Sequence, residues 1–439
     1  MSKRECVNLG LLYRIKILVM ESGERFPLIV RASDNEPLFE PTAFLLRERR
    51  PTGVAFNTLR AHAEAIRFLL TWADRAEIDL LQRLTEGHIL DLHEVEALAG
   101  AARRGVDELH RTDPVGAAAP GALRLVSPER TRRRAGRSSS TVDRAVAATR
   151  LRYIADYLEW LAKSKKYRLT RGSDQAINLE RAIDEIPKTL RARVPKTGSR
   201  NPDTQREGLP EDVQLKLLEV TASDSPSNPF KDEFVRDRNE LIVLVLYHLG
   251  LRQGELLKLK IDEAHFDARK RLLVVTRSPD DPNDPRPNAP QAKTRARKLE
   301  LSDRLTKKIV DHIVNRRRHR PGAGRHAFLF VSHSGEPLSK SSLSKIFVTI
   351  RENIPGLTDD LSAHPLRHTF NENLSEMFDK ADLTDEQKNS YRSYLNGWSE
   401  TSKTAAIYTR RGTRTKAQKI GVDLQDKLRG DRHEYQSYN

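Results

Sequence analysis

The chain has one cysteine, Cys6, which excludes an intramolecular disulfide and any cysteine-rich zinc site. Its thirteen histidines show neither an HExxH pattern nor a paired metal-ligand spacing, and no acidic metal cluster stands out, so no metal and no cofactor is expected. Long apolar runs are also missing. The longest, Leu241 to Leu251, contains His248 and falls well short of the ~20 residues that cross a bilayer. The early apolar stretch Leu11 to Met20 is broken by Arg14 and Lys16, and no small-residue cleavage site follows; it reads as a strand, not a signal peptide. A cytoplasmic protein is the expectation. No internal repeat is visible. What the chain has in excess is positive charge: 77 Lys and Arg against 61 Asp and Glu, a net +16 over 439 residues. Such an excess suits a polyanion, because each neutralised phosphate releases condensed counterions.

The length calls for two or three domains. Residues 1–45 read as a β-rich arm, with Tyr13 to Val19 alternating before a turn at Gly23. Residues 46–195 read as a helical bundle. Leu59, Ala63, Ile66, Leu70 and Ala73 make one apolar stripe, and Leu151, Ile154, Leu158 and Leu161 make another. Between them, 114–140 is a basic loop carrying Arg130, Arg132, Arg133, Arg134 and Arg137 ahead of three serines. It reads either as a solvated linker or as a contact to a nucleic-acid backbone. Residues 196–204, in a stretch rich in Gly, Pro, Ser and Asn, form a linker. A second domain, 205–420, opens with helix Glu211 to Val220 and a buried helix around Leu241 to Leu246. Short strands are expected at Leu257 to Ile261, Arg271 to Thr276 and Arg297 to Leu301, with another short extended piece at Ala327 to Val331. Five prolines make Pro279 to Pro290 a loop. A tail, 421–439, follows. The fold class is mainly α, with a small three-stranded antiparallel sheet in the second domain.

Four clusters in that domain carry chemistry-bearing side chains. Gly250-Leu251-Arg252 ends the buried helix and presents an arginine, with Glu255 three residues on, on the same helical face. His364-Pro365-Leu366-Arg367-His368 places His364 and Arg367 one turn apart. Gly397-Trp398 precedes Tyr408 by ten residues, and Lys293 stands before the last strand. Singly, each has a bland reading: a surface ion pair, a capped helix, a packed aromatic, one lysine among many.

Together, in the order Arg, Lys, His-x-x-Arg, Trp, Tyr, they resemble the active site of the tyrosine recombinase or phage integrase family. The flanking Phe328-Leu329-Phe330, the Pro337-Leu338-Ser339 helix start and Ala363-His364-Pro365-Leu366-Arg367-His368-Thr369-Phe370 resemble it too. The similarity covers roughly residues 205–412; the preceding helices look like that family's core-binding domain more loosely. The resemblance implies a site-specific recombinase that cuts and rejoins DNA through a 3′-phosphotyrosine, without ATP. Tyr408 is the implied nucleophile, Arg252 and Arg367 hold the phosphate, and Lys293 protonates the leaving 5′-oxygen. His364 assists proton transfer, Trp398 supports the phosphate through its indole N–H, and Glu255 orients Arg252 or His364. Two departures are visible: Trp398 stands where many relatives carry histidine, and its spacing to Tyr408 is one residue longer. Tyr391 and Tyr394 are rival nucleophiles. The implied partner is double-stranded DNA with an inverted-repeat site, bound by two to four copies. A type IB topoisomerase, a telomere resolvase and a catalytically silent DNA-binding regulator remain alternatives.

The chemistry is coherent with these residue types. Breaking a phosphodiester builds charge on the non-bridging oxygens, which two guanidiniums can hold by charge-assisted bidentate bonds. A tyrosine must ionise to attack although its free pKa is ~10, and neighbouring cations favour that ionised form.

Overall fold

The computed structural model describes residues 12–105, 141–196, 208–278, 280–292, 294–358, 361–381, 383–399 and 422. Arg130, Arg132, Arg133, Arg134, Arg137, Lys293 and Tyr408 lie outside these residues, as does all of the tail except Val422. The chain divides into two compact units, Met1–Arg200 and Asn201–Asn439.

In the first unit, β1 (Tyr13–Val19) and β2 (Arg25–Arg31) form an antiparallel hairpin around Gly23, whose φ of 81° suits a residue without a side chain. Helices follow at Phe56–Arg75, Leu80–Thr85, Leu92–Ala101, Arg144–Lys166 and Asp174–Ala192. Both expected stripes turn inward: Leu59, Ala63, Ile66 and Ala73 are buried with Leu70 partly so, and Leu151, Ile154, Leu158 and Leu161 are all buried. Phe26 and Ile29 of β2 share that core, so the hairpin is built into the helical unit. Helix starts carry the side chains that satisfy free N–H groups: Asp79 accepts from Leu81 and Gln82, Asp143 from Ala145, and Ser173 from Ala176. Arg150 donates to the carbonyls of Ala102 and Arg104 and lies 4.0 Å from the centre of the Phe68 ring, tying two helices together.

The second unit is mostly helical around one small sheet. Its helices are Glu211–Thr221, Glu233–Leu249, Gln253–Leu256, Asp303–Asp311, Lys340–Asn353, Ala363–Lys380 and Asp385–Asn396. The sheet is antiparallel, in the order β3 (Phe266–Asp267), β4 (Leu272–Val275), β5 (Arg297–Glu300). Leu273 faces Leu299, and Val275 faces Arg297. The expected strand at Leu257 to Ile261 is not in the sheet. That segment and Ala327 to Val331 meet in a lone bridge, Lys260 to Phe328, with Ile261 donating to Ala327 and Leu329 to Leu259. Leu257 and Leu259 of the first piece and Phe328 to Val331 of the second are buried, which is the burial that the apolar positions led one to expect. The third strand is instead a two-residue piece, too short to leave any periodicity.

The proline-rich loop is firmly anchored. Arg286 is buried, pairs with Asp284 at 2.8 Å, and donates to the carbonyls of Leu257 and Leu338 at 3.0 and 2.7 Å. Among the described residues no helix is long and apolar enough to cross a membrane.

Candidate active site

Two helices of the second unit end in left-handed glycines, and their last turns converge on Arg367. Helix Glu233–Leu249 stops at Gly250 (φ 58°), whose N–H bonds the carbonyl of Leu246. Helix Asp385–Asn396 stops at Gly397 (φ 64°) in a Schellman motif: Gly397 donates to Tyr394, and Trp398 donates to Ser393. Arg367 is 2% exposed and donates to the carbonyl of Gly250 at 2.5 Å and to that of Asn396 at 3.1 Å. Arg252, just beyond Gly250, reaches the same Asn396 carbonyl at 3.5 Å. One carbonyl thus gathers both guanidiniums, and the partial negative charge of helix C-termini offsets their repulsion. A mutual amide pair, Asn371 with Asn396 at 2.8 and 3.1 Å, holds that carbonyl in place.

Gly250 has a second constraint. A Cβ there would lie 2.2 Å from the Phe370 ring. Gly250→Ala is expected to destabilise the protein by at least the roughly 1–3 kcal/mol of a strained left-handed residue. Calorimetry should show a clearly lowered midpoint; an unchanged one would mean that the turn re-forms without this conformation.

Glu255, 1% exposed, is the hub behind the arginines. Its carboxylate accepts from the backbone N–H of Arg252 at 2.8 Å, from the Thr294 hydroxyl, and from both terminal nitrogens of Arg297 at 3.1 Å; Arg367 Nη1 lies 3.9 Å away. Burial alone would raise its pKa, but the hydrogen bonds and charge of Arg297, the Thr294 hydroxyl and the charge of Arg367 outweigh it and hold the carboxyl below its ordinary value. Glu255 thus bonds Arg252 through the backbone N–H, and its two carboxylate oxygens pair with the side chain of Arg297, which the sequence reading did not single out. Its signal was a charged residue on the inward face of β5, alternating with Leu299 and Leu301.

Arg252, His364 and Arg367 line one cleft of about 590 Å³, together with Gln253, Gln291, Ser344 and Arg351. His364 is exposed at the start of helix Ala363–Lys380, and its Nε2 lies 3.1 Å from Nε2 of His368, one turn along. A hydrogen bond between the two rings requires one nitrogen to donate and the other to accept. Trp398 is buried, with the Arg367 guanidinium 5.5 Å from its ring centre. The residues flanking Lys293 are at the site: Thr294 bonds Glu255, and Gly254 passes so close to the Gln291 backbone that a Cβ would lie 2.3 Å from its carbonyl oxygen. Arg351, Arg297 and Asn396 are residues of this site that sequence reasoning passed over, and His368 was read as part of the His364 cluster without a role of its own. Away from this site, Asp91, His93 and Glu94 could together offer ligand atoms. The Glu94 carboxylate is already taken by Arg83 and by the Asp91 N–H, as part of a helix start.

Residues 214–414 match the phage integrase family model. The tyrosine recombinase XerD of Halalkalibacterium halodurans is 26% identical over 245 residues, which cover 56% of this chain and 64% of that protein. Solved structures with a similar backbone include XerH recombinase bound to palindromic difH in a post-cleavage complex (TM-score 0.40, 16% identity, 63% of this chain and 79% of that one). A lambda integrase dimer bound to a COC′ core site matches over 93% of this chain and 96% of its own, at TM-score 0.35 and 16% identity. The Arg, His-x-x-Arg and Trp positions read from the sequence fall inside the matched stretch, and it is through residues 214–414 that the chain is similar to the phage integrase family.

Proposed function

We propose that this protein is a site-specific DNA recombinase that cuts and rejoins strands through Tyr408. The observation that carries the reading is the pair of guanidiniums, Arg252 and Arg367, drawn to one carbonyl beside His364 in an open cleft. Two fixed cations in a pre-built pocket suit a phosphoryl group whose charge grows in the transition state. The Tyr408 oxygen bonds to phosphorus as the bond from phosphorus to the 5′-oxygen breaks. The phenol proton leaves with help from His364, and the ammonium of Lys293 protonates the departing 5′-oxygen. Trp398 backs Arg367 and offers its indole N–H to the phosphate. The phosphotyrosine preserves the bond energy, so a second 5′-hydroxyl can reverse the step without ATP.

The substrate in this reading is duplex DNA with an inverted-repeat site, held by two to four copies in the cytoplasm. Residues 46–195, including the arginines of 130–137, and residues 205–420 both contact it, joined by 196–204. The excess of positive charge supports that choice. To test it, fragments of the DNA flanking the gene are incubated with the protein, denatured, and sequenced where they remain attached. Attached 3′ ends clustered at one short sequence between inverted repeats are expected. No attached DNA, or attachment without sequence preference, would overturn the reading; the second outcome would favour a topoisomerase.

A further inference from the structure

We infer that Arg297 is a positioning residue for strand cleavage, acting through Glu255 on the segment that bears Lys293. The inference rests on the strand-transfer reading above. Arg297 sits on β5 at a position that faces the core: Leu299 and Leu301 on the same side are buried, as is Val275 opposite it. An apolar side chain would meet the demand for burial there at no desolvation cost, whereas a guanidinium must be matched by an anion. That anion is Glu255, held through both oxygens.

The remaining contacts of Glu255 show what the pair controls. Its carboxylate takes the Thr294 hydroxyl, one residue after Lys293, and the N–H of Arg252. Next to Thr294, Arg295 donates its N–H to the Gly397 carbonyl at 3.0 Å. Gly397 leaves room for the brace, since a Cβ there would lie 2.6 Å from Arg297 Nη1. Arg297 is buried, lies outside the residues that line the cleft, and commits both terminal nitrogens to Glu255. Arg367 has carbonyl holders of its own, Gly250 and Asn396, and Arg252 reaches Asn396 as well. Breaking the brace therefore frees the residues beside Lys293 and loosens the Arg252 backbone, while the guanidiniums of Arg252 and Arg367 keep their carbonyl holders. The loss falls on proton donation to the leaving oxygen rather than on stabilisation of phosphoryl charge.

Arg297→Met alone would strand the buried Glu255 charge and could prevent folding. The informative variant is the pair Arg297→Met with Glu255→Gln, which removes both charges at nearly constant volume; Arg297→Lys keeps the charge but loses the two-pronged contact. Covalent attachment is timed on a nicked duplex carrying the recovered site, with an ordinary 5′-oxygen and with a 5′-phosphorothiolate. Hydrogen exchange is followed at the amides of 294–300. The double variant should bind DNA as the wild type does and exchange faster at 294–300. It should attach on the order of 10²-fold more slowly and recover most of that loss with sulfur; Arg297→Lys should fall between. Cleavage at the wild-type rate, or slow cleavage that sulfur does not restore, would overturn the inference. If the wild type itself attaches to no DNA, the strand-transfer reading fails instead. The exchange data then decide the brace: unchanged exchange at 294–300 refutes it, and faster exchange upholds it.

Discussion

Tyr408→Phe should abolish covalent attachment to DNA while leaving affinity for the target duplex unchanged. The phenol oxygen is the atom proposed to bond phosphorus, and phenylalanine has nothing to put in its place. Affinity comes from elsewhere, because contacts of Lys and Arg to many phosphates dominate such binding and none depends on one hydroxyl. The rival tyrosines are placed for other work. Tyr391 is 47% exposed, its ring 6.4 Å from that of Phe378, and Tyr394 is 58% exposed, with its hydroxyl donating to the Lys298 carbonyl at 3.1 Å. Neither lines the cleft that holds Arg252, His364 and Arg367. The check is a denaturing gel of each protein with a nicked copy of its site. A retarded protein–DNA band from Tyr408→Phe would reject the assignment and turn attention to Tyr391→Phe and Tyr394→Phe.

The second large effect separates the lysine from the arginines. A general acid matters most when the leaving group is poor, and a 5′-alkoxide is very poor, whereas a 5′-thiolate leaves without a proton. Lys293→Ala should therefore cleave ordinary DNA more slowly by about 10²-fold or more and regain most of that rate on a 5′-phosphorothiolate. Arg367→Ala should lose about 10²–10³-fold and regain none of it, because its charge serves the phosphoryl oxygens whichever atom departs. Lys298 is the control. It is exposed on β5, and the pleat puts it on the opposite face from Arg297. Lys298→Ala should behave as the wild type on both substrates. Slow cleavage by Lys298→Ala, rescued by sulfur where Lys293→Ala is not, would mean that the neighbouring lysine is the acid. Rescue of neither would pass the role to His364.

Much of this protein is written locally, and that part is legible without coordinates. The stripes through Leu59 and Leu151 recur at the helical period and become buried faces, because residues three and four apart share one side of a helix whatever surrounds it. Gly250 and Gly397 mark helix ends for an equally local reason, since only a residue without Cβ takes a positive φ at no cost. The order Arg252, Lys293, His364, Arg367, Trp398, Tyr408 is likewise a property of the chain alone, and it was enough to carry the resemblance to the tyrosine recombinase family. Tertiary structure decided which groups meet. Arg367 bonds a carbonyl 117 positions away, Arg252 one 144 positions away, and Glu255 finds Arg297 across 42. No period or propensity encodes such encounters; they follow from how separate helices and a hairpin pack on a common core. The same packing made Phe266–Asp267 a strand of the sheet and paired Leu257 to Ile261 with Ala327 to Val331 outside it, because the sheet a segment joins is set by which partner supplies its hydrogen bonds.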